Sequence, residues 1–434
     1  MRAIEGSVIS FRRPGKAEAS TFSYTFAYLI ALCALLMFGV LAFGAVAIWA
    51  DSVLEIGAAV LFTVVVIHRL CISGISWRRN PLYLPMLAFA TVVAAQLILN
   101  RTAYRYDTLM VCVQYLAYGM LMFTITEIAG DERSCKFLIL AFTIFGSALA
   151  LFAICQSLSS TLRIYWVVPA GPDASIFGPY FNHDHYAGLM EILTPLALTL
   201  SFSGLVQGGQ RVLAAFGAII MAGSIVLSLS RGGTIALLGE LVILFLIVSR
   251  TQRGALARTR IFSLVMTLLA FLAFIGSSVM WKHLGNLKDA VRLDILKDSL
   301  RMVALKPFLG WGFGTFQDVY PSFRSFYTRF FVNAAHNDYL QVLVETGLAG
   351  FACVVWFIIL LYRNGLRRFD GGNQTWRGVL GLAALVGCTG ILIHSLFDFN
   401  LQIPANAALF FIFCALASSL PFSSDGLKFR AERG

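Results

Sequence analysis

Long apolar segments alternate with short polar segments along the whole chain. Twelve apolar segments are about 20 residues long, the length that an α-helix needs to cross the roughly 30 Å hydrocarbon core of a bilayer. They cover residues 25–48, 53–73, 82–99, 107–127, 136–156, 185–204, 212–230, 232–249, 261–281, 338–362, 378–396 and 404–421. The pattern predicts an all-α polytopic membrane protein in which residues 1–434 form a single membrane domain.

Composition supports this prediction. The chain is 59% hydrophobic and only 13% charged, whereas a soluble domain has about 25% charged residues. Transmembrane strands would instead give short segments of alternating polarity, a pattern that this sequence lacks. The net charge of +11 comes from basic residues scattered between the apolar segments, and this distribution argues against a nucleic-acid partner.

The positions of lysine and arginine predict the orientation of the helices. Basic residues in short loops accumulate on the cytoplasmic side of a membrane. If the N-terminus is cytoplasmic, most of the 33 basic residues fall on that side, including those of a tail at 1–24 and those of the C-terminus. A long loop at 282–336 then lies on the outer side. We therefore expect twelve helices with both termini inside.

Four polar stretches beside apolar segments fall on the outer side in this topology. Each contains histidine, arginine or aspartate, the residue types that bind anions or transfer protons. They hold His183 and His185 at the start of the sixth span, Arg231 between the seventh and eighth, His336 and Asp338 at the start of the tenth, and His394 and Asp398 between the last two.

The long outer loop is a fifth candidate. Residues 288–304 have apolar positions at three- and four-residue spacing, which predicts an amphipathic helix, and the polar side of this helix carries Arg292 and Arg301. A glycine-aromatic turn containing Trp311 follows. Such a helix could equally lie on the outer surface of the membrane.

Each stretch also has a purely structural interpretation. Asp338 with Gln341 fits an N-cap with a capping-box partner, and the other stretches could be turns or caps. Arg231 could extend its side chain to the headgroups. His183 and His185 could bind a metal, but no recognised ligand spacing accompanies them, so we expect no metal site. The presence of all five stretches on one face favours a functional site.

The stretches together resemble the O-antigen ligase and polymerase superfamily, bacterial inner-membrane enzymes that act on undecaprenyl-diphosphate-linked glycans. The resemblance covers about 170–420 and is carried by SRGG, the helix with Arg292, GWGFGTF, HNDYLQVLVETGLAG and HSLFDFNLQIP. FNHDHYAG looks like the family's asparagine-rich start of a mid-chain helix, but it has histidines where asparagine is more usual.

The resemblance implies about twelve helices, a large periplasmic loop and a lateral opening for lipid. It also implies that Arg231 and Arg292 grip the diphosphate, that His336 assists the acceptor hydroxyl, and that the enzyme needs no metal, cofactor or nucleotide sugar. Asp338 or Asp398 could orient His336 or compete for its role. The remaining candidates for substrate binding are His183, His185, Arg301, Trp311, His394 and Asp398.

The chemistry suits these residues. Fixed arginine charges can stabilise a departing diphosphate, and histidine transfers protons near neutral pH. We therefore expect an inner-membrane glycosyltransferase, facing the periplasm and independent of metal, that moves a glycan from an undecaprenyl-diphosphate donor to a lipid- or glycan-linked acceptor. A polymerase of O-antigen or exopolysaccharide would use the same donor chemistry.

A polysaccharide or lipid transporter is the alternative from another class. It should place ionisable residues at mid-membrane and contain repeated halves. The spans look nearly free of charge and show no clear repeat, so this alternative is less favoured.

Overall fold

The computed structural model describes residues 16–73, 77–159, 162–171, 174–251, 288–328, 331–367 and 375–419. These residues form thirteen α-helices and one two-stranded antiparallel ribbon, β1 (Arg163–Ile164) with β2 (Val168–Pro169). The helices are α1 (Lys16–Leu41), α2 (Ile48–His68), α3 (Tyr83–Ile98), α4 (Arg105–Ile128), α5 (Glu132–Leu158), α6 (His183–Phe202), α7 (Gly208–Leu227), α8 (Arg231–Thr251), α9 (Lys288–Leu305), α10 (Phe316–Val319), α11 (Asp338–Arg367), α12 (Trp376–His394) and α13 (Pro404–Ser419).

The helical content agrees with an all-α membrane protein. Within the described ranges, eight helices are long and apolar enough to cross a membrane, namely α1, α2, α4, α5, α7, α8, α11 and α12. α3 and α13 are shorter apolar helices at the predicted spans 82–99 and 404–421, and α6 occupies the predicted span 185–204. The predicted span 261–281, most of the tail 1–24 and the first residues of the loop 282–336 lie outside the described residues. The sides of the membrane remain a prediction.

The boundary between the first two helices differs from the prediction. α1 ends at Leu41 rather than at 48, and α2 begins at Ile48 rather than at 53. Phe43, Gly44 and Ala45 between them have φ angles of 62°, 75° and 59°, which are incompatible with a continuing right-handed helix. The apolar pattern could not show this turn, because the turn residues are as apolar as the helices that they separate.

α6 is the central helix of the bundle. It packs against α5, α7, α8, α12 and α13, and almost all of its residues are buried, including Asp184 and Glu191. Since neighbouring helices surround it, α6 needs no lipid-facing stripe and can carry polar side chains that interact with those helices. This arrangement places its N-terminal residues at the centre of one end of the bundle.

α11 is interrupted at Gly347, so the prediction of one continuous helix over 338–362 was wrong at this point. Gly347 has φ 62° and ψ −165°, and the chain before α10 fills the gap with main-chain hydrogen bonds. Trp311 N donates to Val344 O at 3.0 Å, and Leu348 N donates to Pro307 O at 2.8 Å. The interruption therefore leaves its peptide groups satisfied, and it joins the loop before α10 to α11.

A buried acid strengthens this junction. The Glu345 carboxylate accepts hydrogen bonds from the main-chain N–H groups of Gly314 at 2.8 Å and Phe316 at 3.3 Å. The Trp311 indole donates to Met302 O of α9 at 3.0 Å. These bonds tie α9, the glycine-aromatic turn and α11 into one unit.

The apolar positions of α9 do not all lie on the buried side of the helix. Leu296 and Leu300 are exposed, whereas Ile295, Asp298 and Met302 are buried. The buried side packs in a small cluster with residues of α10 and the first half of α11. The helix therefore packs on the rest of the loop, and its exposed leucines lie on the protein surface.

We expect Gly347→Ala to lower the thermal stability of the protein. A Cβ at this position would clash with the Phe308 main chain, and the positive φ strains any residue with a side chain. Gly204→Ala is the matched control, because nothing lies within 4 Å of the added Cβ. Thermal unfolding of the purified proteins in detergent measures the difference. Equal midpoints for the two variants would contradict this account of the helix break.

Candidate active site

The polar stretches that the sequence singled out meet at one end of the bundle. Asp184 of α6 and Asp398 of the α12–α13 link lie at the centre of the group, together with His394. Arg292 of α9 pairs with Asp184, and His336 pairs with Asp398. Residues far apart in the chain thus form a single polar cluster.

Asp184 joins three elements. Asn182 caps α6 by accepting a hydrogen bond from Asp184 N at 2.9 Å, so the Asp184 carboxylate is left for other partners. Its Oδ1 accepts from Ser230 Oγ at 2.6 Å, and its Oδ2 lies 3.5 Å from Arg292 Nη2. His183 Nε2 lies 3.5 Å from Oδ1 at the edge of the cluster. The carboxylate therefore connects α6 with the start of α8 and with α9.

The start of α8 lies directly against this cluster. Arg231 is the first residue of the helix and is half-buried. A Cβ on the next residue, Gly232, would lie 2.8 Å from the His394 ring, so only glycine allows this approach. Because Ser230 bonds Asp184 and Gly232 packs on His394, the SRGG stretch places the main chain of Arg231 beside the cluster.

His336 is held in a defined orientation. Its Nδ1 lies 3.0 Å from Oδ1 of the buried Asp398, and its ring makes an edge contact with Phe399, with centroids 5.0 Å apart. The side chain is 27% exposed. The carboxylate favours the tautomer with the proton on Nδ1, which leaves Nε2 as a proton acceptor. His336 also has a left-handed φ of 50°, a strained conformation for a non-glycine residue that is common at functional sites.

The helix cap at the start of α11 differs from the prediction. Asn337, not Asp338, caps the helix, since its Oδ1 accepts from Leu340 N at 2.9 Å. Asp338 is buried, and its Oδ2 accepts from Ser395 Oγ at 2.8 Å and from Leu401 N at 3.2 Å. Asp338 therefore fixes the α12–α13 link, and the carboxylate paired with His336 is that of Asp398.

His394 is fully buried and pairs with an acid that the sequence reasoning missed. Its Nδ1 lies 2.7 Å from Glu191 Oε1 of α6. Glu240 of α8 is buried as well, and both acids lie against Gly390 of α12. The interpretation of the spans as nearly charge-free overlooked both residues. A single glutamate in an apolar helix was the available signal, because intramembrane acids usually have a function.

Two of the predicted substrate-binding residues contact neighbouring residues of the loop instead of the cluster. Arg301 is 65% exposed and lies 3.3 Å from Asp298 of its own helix. Trp311 lies beneath Lys306, whose Nζ is 4.0 Å from the centre of its ring. His185, in contrast, is buried beside the cluster, with its ring 4.8 Å from that of Phe399.

The cluster has one set of residues with the composition of a metal site. In the described part of the chain, ligand atoms of Asp184, His394 and Asp398 lie within 4.8 Å of one another. The protein also supplies positive or donating groups to the same acids, because Arg292 lies beside Asp184 and His336 beside Asp398. The donor set therefore fits internal charge pairing, and we assign no metal to it.

Comparison with known proteins bears on this cluster. Residues 216–355 match the family model described as O-Antigen ligase, and the matched range contains Arg231, Arg292 and His336. No curated protein matches the chain. The match confirms the resemblance to the O-antigen ligase and polymerase superfamily. Together with the apolar helices it supports a multi-pass bacterial inner-membrane protein of the glycosyltransferase type.

Proposed function

Starting from the O-Antigen ligase match, we propose that the protein transfers a glycan from undecaprenyl diphosphate to a hydroxyl group of a lipid- or glycan-linked acceptor at the periplasmic face. The observation that carries the proposal is one cluster that holds both an arginine–carboxylate pair, Arg292–Asp184, and a histidine–carboxylate pair, His336–Asp398. The two pairs supply an anion-binding group and a proton acceptor side by side.

Arg231 and Arg292 bind the donor in this proposal. Arginine stays charged at all relevant pH values and binds phosphate oxygens through two parallel hydrogen bonds. The Arg292 side chain is 37% exposed and only 3.5 Å from Asp184, so it is oriented and still accessible to a ligand. The diphosphate of a polyprenyl lipid lies at the membrane boundary, which is also the predicted position of this end of the bundle.

The transfer is a single displacement at the anomeric carbon. The acceptor oxygen forms a bond to this carbon while the bond to the diphosphate oxygen breaks, and the configuration inverts. The leaving diphosphate takes the bonding electrons, and the two arginines stabilise its negative charge. Nε2 of His336 takes the acceptor proton as the new bond forms, Asp398 stabilises the resulting imidazolium, and the proton then leaves to solvent.

A large cavity supports a lipid substrate. It has a volume of about 1180 Å³, lies between α3, α4, α11 and α13, and is lined mainly by apolar side chains. Arg78 and Arg79 line one part of it, and Asp338 and Ser395 line another. Because Asp338 and Ser395 anchor the link that carries Asp398, the cavity adjoins the catalytic cluster. An isoprenoid or acyl chain fits a space of this composition.

The alternatives differ in the acceptor or in the class of protein. A polymerase would use the same cluster and add one repeat-unit lipid to another. Buried Glu191 and Glu240 are residues of the kind expected in a transporter, but the family match favours a transferase. We favour the ligase, and therefore expect a purified donor to be consumed with a lipid A-core acceptor. Elongation with a repeat-unit lipid alone would show a polymerase. A donor that is consumed with neither of the two acceptors would contradict both.

We expect Arg231→Ala and Arg292→Ala each to lower the transfer rate by about 10²–10³-fold, because each removes a charge that stabilises the leaving group. Lys297→Ala on α9 is the matched control, since Lys297 is 67% exposed and pairs with Asp294 of the same helix. Product formation from a labelled polyprenyl-diphosphate donor measures the rate. Full activity of both arginine variants would refute the proposed grip on the diphosphate.

We expect His336→Ala to lower kcat by roughly 10²–10⁴-fold with a smaller change in the donor KM, because the side chain acts on the acceptor proton. Asp398→Asn should lower kcat as well, since an amide can hold the wrong tautomer of the ring. Steady-state kinetics at saturating acceptor separate the two constants. His68→Ala, on the predicted inner side, is the control, and an unchanged kcat in His336→Ala would exclude it as the base.

A further inference from the structure

His394 lies at the centre of the buried charges without contacting solvent. Its side chain is 1% exposed, and Glu191 beside it is fully buried. The contact of 2.7 Å between His394 Nδ1 and Glu191 Oε1 is typical of a charge-assisted hydrogen bond. A ring nitrogen also lies within 4.8 Å of a carboxylate oxygen of both Asp184 and Asp398. The residue therefore faces both halves of the proposed catalytic cluster.

Acids surround His394 on several sides. Asp184 and Glu191 come from α6, and Asp398 comes from the link that follows its own helix. Glu240 of α8 lies beside Glu191. Two basic groups of the cluster are partly exposed, Arg292 of α9 and His336 of the chain before α11. His185 of α6 is buried on another side, against Phe399, and Arg231 begins α8 next to the glycine that packs on His394. His394 is thus a fully buried histidine among carboxylates.

Electrostatics indicates the charge that this position requires. A buried carboxylate without a cation or hydrogen-bond donors is strongly unfavourable. Arg292 and His336 each serve one acid from the exposed side. His394 lies in the space between Asp184, Asp398 and Glu191. A protonated imidazole at His394 places one positive charge in that space and donates a hydrogen bond to Glu191.

We propose that His394, held as an imidazolium by Glu191, is a positioning residue that keeps Asp184 and Asp398 in place and thereby orients Arg292 and His336. The inference rests on the proposed function, because Arg292 is assigned to the donor and His336 to the acceptor proton. His394 itself touches no substrate. Gly232 of α8 packs against the same imidazole, since an added Cβ there would lie 2.8 Å from the ring.

The position of His394 between two acids predicts a distinctive kinetic result. Loss of its charge should disturb Asp184 on the donor side and Asp398 on the acceptor side together. We therefore expect His394→Gln to lower kcat and to raise the donor KM, each on the order of tenfold. Glu191→Gln should give both changes as well, because it removes the group that holds the imidazolium.

A double-variant cycle tests whether the two residues act as one unit. Steady-state kinetics of the full-length protein in detergent would compare His394→Gln, Glu191→Gln and the double variant. We expect the double variant to be no more impaired than the worse single variant, whereas independent packing defects would multiply. Tyr362→Phe is the matched control, since it removes a partly buried hydrogen bond of 2.8 Å to Thr389 of α12 without removing a charged group.

Several outcomes would overturn the inference. Wild-type kcat and donor KM in either single variant would do so, as would multiplicative losses in the double variant. If His394→Gln does not accumulate in the membrane, kcat and donor KM of Glu191→Gln test the inference on their own. EDTA could also abolish the activity of the wild type, and zinc could restore it there but not in His394→Gln. This result would show a metal site instead. Full activity of both Arg292→Ala and His336→Ala would refute the proposed function. If these two variants are inactive and His394→Gln is fully active, only this inference is refuted.

Discussion

Asp184 and Asp398 lie in an interior that is closed to solvent on most sides, so each carboxylate must find its cation or donors within the protein. Ser230 and Arg292 serve the first acid, and His336 serves the second. These partners come from α8, α9 and the chain before α11. The need to match two buried charges thus determines which helix ends must meet, and the bundle around α6 brings them together.

The break in α11 serves the same requirement. A continuous helix would offer no main-chain groups to the outer loop, whereas the interrupted helix bonds to the loop on both sides of Gly347. The loop then fixes α9 through the Trp311–Met302 hydrogen bond, and α9 carries Arg292. The orientation of one guanidinium therefore depends on an irregularity in a membrane helix about 50 residues away in the chain.

The sequence was sufficient to predict the helical class and the stretches that form the cluster, because apolar segment length and the placement of histidine and arginine are local properties. It could not identify the partners. The pairing of His336 with Asp398 rather than Asp338, and the burial of Asp298 rather than Leu300 on α9, depend on which helix lies opposite. Glu191 and Glu240 went unnoticed for a related reason, since nothing beside them in the chain shows that α12 faces them.

The junction of the loop with α11 combines main-chain hydrogen bonds and positive-φ glycines with two buried side chains, Glu345 and Trp311. Such a scaffold tolerates substitution on the surfaces next to it, because main-chain bonds do not change when side chains do. On the proposed function, substitutions at exposed positions of the loop would change which sugars are accepted, while the frame that presents Arg292 and His336 stays the same. Stability would then depend on the buried part of this short segment, and sugar selectivity on its exposed part.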